Sequence, residues 1–396
     1  MRRKHKEQII RDLNSKIVFI TGPRQVGKTW LALDIAKNFE NPVYLNYDRA
    51  EDRKIIQGEN WLPKTDLLIL DEIHKMAEWK RYVKGVFDTR NEKLRIIVTG
   101  SARLDFFRQG GDSLAGRFFT HRLFPFSAGE LAAAGEAPDL DKLMDRGGFP
   151  EPFLAEDDDW ARRWRSQYVD GLIREDILDF ERLSDFRSLK LCLELLRGRT
   201  GSPVSYASIA RDIGIAPNTV KSYIGLFEAL CIVFRVTPFS GSPAHGNIAR
   251  SLLKEPKIYF YDTGLVDGGE GARFENMAAL SLAKEAAAAE DLRGIHASLH
   301  YLRTKDGRET DFCYAEDGAI RFLAETKFSD SEISKNLIYF CERYGVNGVQ
   351  IVKNLKREYE KKLSAGRGKE VSPPAGSADL PRIEVRQAEA FFKGLE

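Results

Sequence analysis

The sequence predicts an α/β fold whose N-terminal part is a parallel sheet with helices on both faces, and two observations predict it. First, residues 1 to about 128 alternate short apolar runs (16–21, 42–46, 67–70, 95–99 and 120–123) with helical patterns, notably 79–89. Strands that alternate with helices build parallel sheets. Second, the run Ile17-Val-Phe-Ile-Thr21 passes directly into Gly22-Pro-Arg-Gln-Val-Gly27-Lys28-Thr29, followed by a helical stretch from Trp30 to Ala36. That is G-x-x-x-x-G-K-T in the strand, turn and helix setting it requires, the P-loop or Walker A pattern.

Each residue type in that loop has a chemical reason. Gly22 and Gly27 allow turn geometries that aim backbone N–H groups at phosphate oxygens. The helix beginning near Lys28 adds its positive dipole end. Lys28 is expected to reach the β- and γ-phosphates, and the Thr29 hydroxyl to ligate Mg²⁺. The residues expected around the nucleotide are therefore Gly22, Pro23, Arg24, Gln25, Val26, Gly27, Lys28, Thr29 and Trp30, with ATP and Mg²⁺ as cofactors.

The next signal lies forty-odd residues on, at Leu67-Leu-Ile-Leu-Asp71-Glu72-Ile-His74-Lys75. Four apolar residues ending in Asp-Glu form a Walker B arrangement. A buried strand would deliver Asp71 to the Mg²⁺ shell and leave Glu72 to orient or deprotonate the attacking water. The run Arg95-Ile-Ile-Val-Thr99-Gly-Ser101 ends in polar residues, so Thr99 or Ser101 is either a γ-phosphate sensor or an ordinary cap. Beyond it, Asp112-Ser-Leu-Ala-Gly116-Arg117 places Arg117 as an arginine finger for a neighbouring subunit, with Arg103 competing for the role. His74 reads as a side chain hydrogen-bonded near Glu72, and Trp79 as the core anchor of its helix.

These motifs, with Leu123-Phe-Pro-Phe126, resemble one large prokaryotic family over nearly the whole chain. That family joins an AAA-type ATPase domain to a C-terminal domain of unknown function (number 4143). The resemblance implies an AAA-type P-loop fold and leaves the physiological task open.

The rest of the chain divides by charge. Residues 130–159 carry ten acidic residues against Lys142 and Arg146, and a long helix is expected from Trp160 to about 183. Residues 186–254 carry nine basic and three acidic residues, a local excess of +6. Within them, 204–230 reads as helix, glycine turn at Gly214, helix from Pro217, followed by a strand at 231–236, a winged-helix arrangement. Asn218, Thr219, Lys221 and Ser222 would face a DNA groove, with phosphate contact expected before base readout.

The C-terminal part holds a second carboxylate set. Glu275 opens a helix, Asp311 lies at the start of a strand, and Glu325-Thr-Lys327 lies on the next, with Glu325 and Lys327 on one face. This order resembles the PD-(D/E)-x-K nuclease core, with Thr310 in place of its proline. Glu275, Asp311 and Glu325 would then ligate Mg²⁺, and Lys327 would activate water or stabilise charge.

Composition adds limits. The 396 residues suit two to four domains, and 43% apolar with 30% charged content is ordinary for a globular chain. No apolar run approaches the roughly 20 residues of a membrane-spanning helix. The basic start, Met1 to Lys6, reads as a solvated helix beginning without a signal-peptide core. Cys192, Cys231, Cys313 and Cys341 form no C-x-x-C pair, which points to buried thiols in a reducing cytoplasm. His121, His245, His296 and His300 show no metal-ligand spacing.

The expected plan is a P-loop ATPase domain (1–130), an acidic helical linker (131–185), a winged-helix domain (186–254) and a restriction-endonuclease-like α/β domain (255–396). The expected activity is ATP hydrolysis coupled to a DNA-associated task, in a homo-oligomer that could close into a ring. Two alternatives stand beside it: a nucleotide-dependent switch for DNA or a protein partner, and an ATP-licensed metal-dependent nuclease.

Overall fold

A computed structural model describes residues 3–100, 114–173, 185–240, 255–329, 332–363 and 380–395. Ser101, Arg103, His245 and the Gly/Ser/Pro-rich stretch 364–379 lie outside these residues. The chain forms two compact units: residues 1–126 with the short stretches 149–151 and 229–231, and the remainder.

The first unit runs α1 (His5–Asp12), β1 (Ile17–Thr21), α2 (Lys28–Ala36), β2 (Pro42–Asn46), α3 (Ala50–Gly58), β3 (Leu67–Asp71), α4 (Trp79–Thr89), β4 (Arg95–Thr99) and β5 (Phe118–Arg122). The five strands form one parallel sheet in the order β2-β3-β4-β1-β5. β4 is thus inserted between the P-loop strand β1 and the Asp-Glu strand β3.

Alternation along the strands divides the core into two layers. Ile17, Phe19, Leu68, Leu70, Ile96 and Val98 share one cluster with Ile56 of α3 and Trp79, Val83 and Val86 of α4. Trp79 meets Phe19 edge to face at 6.0 Å, which fixes the start of α4 against the sheet. Val18, Ile20, Leu67, Ile69 and Ile97 are equally buried and point the other way, where α1 and α2 pack. Because both faces are covered, these strands read as unbroken apolar runs instead of alternating ones.

The second unit contains α5 (Ala128–Ala133), α6 (Leu140–Arg146), α7 (Asp158–Gly171), α8 (Phe186–Arg197), α9 (Tyr206–Ile213), α10 (Pro217–Ala229) and β6 (Val233–Pro238). There follow β7 (Lys257–Phe260), α11 (Glu270–Arg293), β8 (Ala297–Arg303), β9 (Glu309–Glu316), β10 (Ala319–Lys327), α12 (Lys335–Tyr344), β11 (Asn347–Val352), β12 (Tyr359–Lys362), β13 (Arg382–Gln387) and α13 (Ala388–Lys393). The long helix expected from Trp160 is α7, whose helical residues begin at Asp158 with Asp157 as its cap; residues 174–183 of that expectation are not among those described.

Helix α9 ends on Gly214 at φ 84°, a left-handed position that costs glycine little. Helix α10 begins at Pro217, whose missing N–H is no loss in a first turn. Strand β6 pairs with β7 on one side and β8 on the other, inside an eight-stranded mixed sheet ordered β12-β13-β11-β10-β9-β8-β6-β7. The segments 186–254 and 255–396 therefore share one continuous sheet, and the expected boundary at 254 does not separate compact units. The physical reason is that β6, which lies before that boundary, takes both of its hydrogen-bonding neighbours, β7 and β8, from beyond it.

At the centre of this sheet β8, β9 and β10 run antiparallel, and β11 joins β10 in parallel after α12. Helix α11 precedes the three strands and packs on β7, β8, β9 and β10. Among the described residues no helix is long and apolar enough to cross a membrane.

Candidate functional site

The carboxyl ends of β1, β3 and β4 bring the P-loop, Asp71-Glu72 and Thr99 together, the edge at which open parallel sheets take their ligands. Gly22, at φ 139°, lies so close to β5 that an added Cβ would meet the Leu123 carbonyl oxygen at 2.2 Å. Only glycine lets the loop leave β1 here. Gln25 at φ 59° and Gly27 at φ 98° continue the unusual turn into α2. Pro23 and Val26 are buried, Arg24 and Thr29 half-buried, and Gln25 and Trp30 exposed.

The Lys28 ammonium is buried and donates to the loop's own carbonyls, Gly22 O at 3.0 Å and Pro23 O at 2.5 Å. Burial lowers its pKa from 10.5 to about 8, so the charge is held in a site that would favour an anion beside it. Asp71 accepts three hydroxyls: Thr29 at 2.9 Å, Tyr44 at 2.7 Å and Thr99 at 2.5 Å. A hydroxyl and a carboxylate in contact are hard oxygen donors of the kind Mg²⁺ takes. Glu72 follows at φ 55°, its backbone N–H on the Thr99 carbonyl at 3.0 Å. Burial first, then the Asp71 charge, raises the Glu72 carboxyl above the ordinary carboxylate range. The His74 ring lies 3.5 Å from Glu72, and Lys75 pairs with Asp48 at 2.5 Å.

Of the two sensor candidates, Thr99 is fully buried and directed at Asp71; Ser101 is not among the described residues. Arg117 sits at the opposite edge of the sheet, where its carbonyl accepts from Ile17 at the start of β1, and its guanidinium forks onto Asp88 at 2.8 and 3.1 Å. Among the described residues its guanidinium meets Asp88 and not the P-loop.

Two residues escaped the reading of the sequence. Tyr44 reaches Asp71 because β2 lies beside β3, a neighbour relation that no local pattern encodes. The second corrects the expectation that the basic N-terminus is a solvated helix start. Arg3 is only 3% exposed and donates to Val26 O in the P-loop at 2.6 Å and to Phe124 O at 3.1 Å, with its guanidinium over the Phe126 ring at 4.3 Å. Planar stacking and a fork of donors let arginine bury its charge where lysine would not. The only sequence signal was a basic residue close to the motif in the chain.

In the second unit, Asp311 and Glu325 meet on β9 and β10: Thr326 donates to Asp311 from N–H at 2.9 Å and hydroxyl at 2.7 Å, and Thr310 donates to Glu325 at 3.1 Å. Lys327 lies 3.3 Å from Glu325, on the face the alternation predicts. Glu275, from α11, accepts from the Tyr259 hydroxyl at 2.7 Å. The Lys257 ammonium, 1% exposed, sits among Glu309 at 2.8 Å, Glu275 at 3.4 Å and Asp311 at 3.8 Å. Among the described residues no group of His, Cys, Asp or Glu side chains is arranged to hold a metal. Of the expected metal set of Glu275, Asp311 and Glu325, the Lys257 ammonium faces two members, Glu275 and Asp311.

Four of the nine basic residues of 186–254 are paired. Arg197 binds Glu194, Arg199 binds Asp212, Arg235 binds Glu228, and Lys190 reaches Asp170. Arg211, Asn218, Lys221 and Ser222 are exposed around the turn and the start of α10. Cys192, Cys313 and Cys341 are buried free thiols and Cys231 is half-buried.

Comparison with known proteins agrees with the first unit and renames part of the second. Residues 14–132 match the model of an AAA domain, and residues 137–269 match a domain of unknown function, number 8612, where the resemblance had named 4143. The uncharacterized protein Rv2008c of Mycobacterium tuberculosis is 26% identical over 334 residues, 81% of this chain and 72% of the relative. The uncharacterized protein MJ1544 of Methanocaldococcus jannaschii is 22% identical over 261 residues, 58% of each chain. Among solved structures, the Walker-type ATPase PABY2304 of Pyrococcus abyssi aligns with TM-score 0.40 and 13% identity, covering 67% of this chain and 94% of that one. RuvB of Thermotoga maritima aligns with TM-score 0.31 and 17% identity, covering 58% and 88%. Likenesses this loose leave the assignment on the family match and on the site itself. The chain carries an AAA domain of P-loop ATPase type, followed by a domain whose model has no described function.

Proposed function

We propose that the chain hydrolyses ATP with Mg²⁺. The observation that carries this reading is Asp71, held by Thr29 and Thr99 beside a buried Lys28 and a Glu72 of raised pKa. Backbone N–H groups of residues 22–29 and the Lys28 ammonium would bind the phosphates, and Thr29 with Asp71 would hold the Mg²⁺. When bound, the metal supplies charge neutralisation at the transferred phosphoryl group. Glu72 accepts the proton of the attacking water, a role its raised pKa suits. A Glu72→Gln variant tests this: turnover should fall by about 100-fold or more with nucleotide binding retained. An unchanged rate would sink the assignment.

Arg117 is assigned to a neighbouring subunit's site. Its position at the edge away from its own P-loop, on an exposed ion pair with Asp88 that can open, supports that reading. The particle mass with and without ATP decides it: ATP-dependent assembly, with slower turnover in Arg117→Ala, is expected. A monomer with normal turnover would remove both the finger and the ring.

A DNA-directed task is a second reading, favoured by the exposed Arg211 and Lys221 beside the α9–α10 turn. Affinity for duplex DNA should fall with salt, and Arg211→Ala with Lys221→Ala should flatten that dependence. A salt slope equal to that of the wild type would remove these residues from the interface.

A further inference from the structure

We infer that the carboxylate cluster of the second unit carries its cation internally: the Lys257 ammonium takes the position in which a two-carboxylate nuclease-like centre would hold a divalent metal. This concerns β7, α11 and β9 and stands apart from the ATP reading. The topology around the cluster, a helix followed by three antiparallel strands, a second helix and a parallel strand, brings Glu275, Asp311 and Glu325 to one region. It also brings a fourth carboxylate, Glu309, and the first residue of β7, Lys257.

The geometry is specific to an ammonium. Lys257 offers three N–H donors, and three carboxylates face it at 2.8, 3.4 and 3.8 Å. A Mg²⁺ ion needs oxygens drawn in to about 2.0–2.1 Å around it, in near-octahedral order. Nζ lies 3.4 Å from Glu275 Oε1 and 3.8 Å from Asp311 Oδ1, so a second cation drawn between these carboxylates would meet the repulsion of the ammonium already there. The Lys257 side chain is 1% exposed and its ammonium lies 5.5 Å from the Tyr301 ring, so the charge is held inside the cluster. Surrounding groups are also committed elsewhere. Tyr259 donates to Glu275, and both the N–H and the hydroxyl of Thr326 donate to Asp311. A carboxylate already accepting such donors gives up more to become a metal ligand. The Thr310 hydroxyl donates to Glu325, which occupies that carboxylate in the same way.

The test uses the full-length, nucleotide-free protein and two metal probes, Mn²⁺ by electron paramagnetic resonance and Tb³⁺ by tyrosine-sensitised luminescence, for which Tyr259 beside Glu275 is the antenna. Wild type should show no bound ion that Asp311→Asn removes. Lys257→Met should gain one such ion, at least tenfold tighter than any wild-type binding and lost again with Asp311→Asn. A wild-type site of comparable affinity that disappears in Asp311→Asn overturns the inference. So does a folded Lys257→Met protein that gains nothing. Should Lys257→Met not fold, wild type against Asp311→Asn decides alone: an Asp311-dependent ion refutes the internal cation, and its absence at millimolar Mn²⁺ upholds it.

Discussion

The guanidinium of Arg3 donates to the carbonyl of Val26 at 2.6 Å, joining the N-terminal segment to the loop expected to cradle phosphates. The same side chain holds Phe124 O, just past β5, so one buried charge braces both walls of the P-loop. Hydrogen bonds from a charged donor contribute about 1.5–3 kcal/mol. Arg3→Ala is therefore expected to weaken ATP binding roughly tenfold, read by calorimetry, with kcat at saturation nearly preserved. Arg3→Lys should rescue little, because a point charge cannot make the fork. Unchanged affinity in both variants would make Arg3 a packing residue only.

Gly22 and Gly27 both have positive φ, yet their surroundings differ. A Cβ at Gly22 would lie 2.2 Å from the Leu123 backbone, whereas at Gly27 the nearest atom is an Arg3 nitrogen at 3.6 Å. Gly22→Ala should cost at least about 2 kcal/mol in denaturant unfolding of the first unit, and Gly27→Ala less. Equal losses would mean that φ strain alone, and not the clash, sets the cost.

Thr99 is fully buried and its hydroxyl serves Asp71 at 2.5 Å. Thr99→Val keeps the shape and removes the donor, so turnover should drop at least tenfold while Thr99→Ser stays near wild type. The kcat values of the two variants check this. Matching kcat values would release Thr99 from the site.

The carboxyls of Glu275 and Glu325 are each pushed up from 4.5 to about 7, by burial first and then by the Asp311 charge. A raised acid pKa means the folded state holds protons that the unfolded chain has already lost. Stability from these groups is thus complete below pH 4.5 and falls as pH rises through 7, by up to about 1.4 kcal/mol per pH unit for each group. Unfolding of the second unit between pH 4.5 and 7 should show that decline, and Glu275→Gln should flatten it. A flat profile in wild type would contradict the shift.

Much of the first unit was legible because its signals are contiguous. The limits of β2, β4 and α4 coincide with those read from apolar runs at 42–46, 95–99 and 79–89. Strand β5 starts two residues and ends one residue before the run read at 120–123, since Phe118 and Phe119 adjoin Arg117 and the run alone does not say where pairing starts. In the second unit, alternation placed Glu325 beside Lys327 correctly. Counting charges along 186–254 gave the net excess but not the pairing: Glu194, Asp212 and Glu228 meet Arg197, Arg199 and Arg235, and Lys190 finds Asp170 outside the window.

By itself, the sequence determined the elements and the chemistry each can offer: a strand run, a glycine turn, an Asp-Glu at a strand end, an E-x-K on one face. Such features depend on neighbours within a few residues, where backbone sterics and side-chain period act directly. Only the tertiary structure decided who meets whom. Inserting β4 between β1 and β3 set Thr99 against Asp71; placing β2 outside β3 added Tyr44; folding the N-terminus back brought Arg3 to Phe124 across 121 positions. Packing β7 against α11 and the central strands put Lys257 among the carboxylates that the sequence had offered to a metal. These contacts follow from which surfaces bury together, and no period along the chain records that choice.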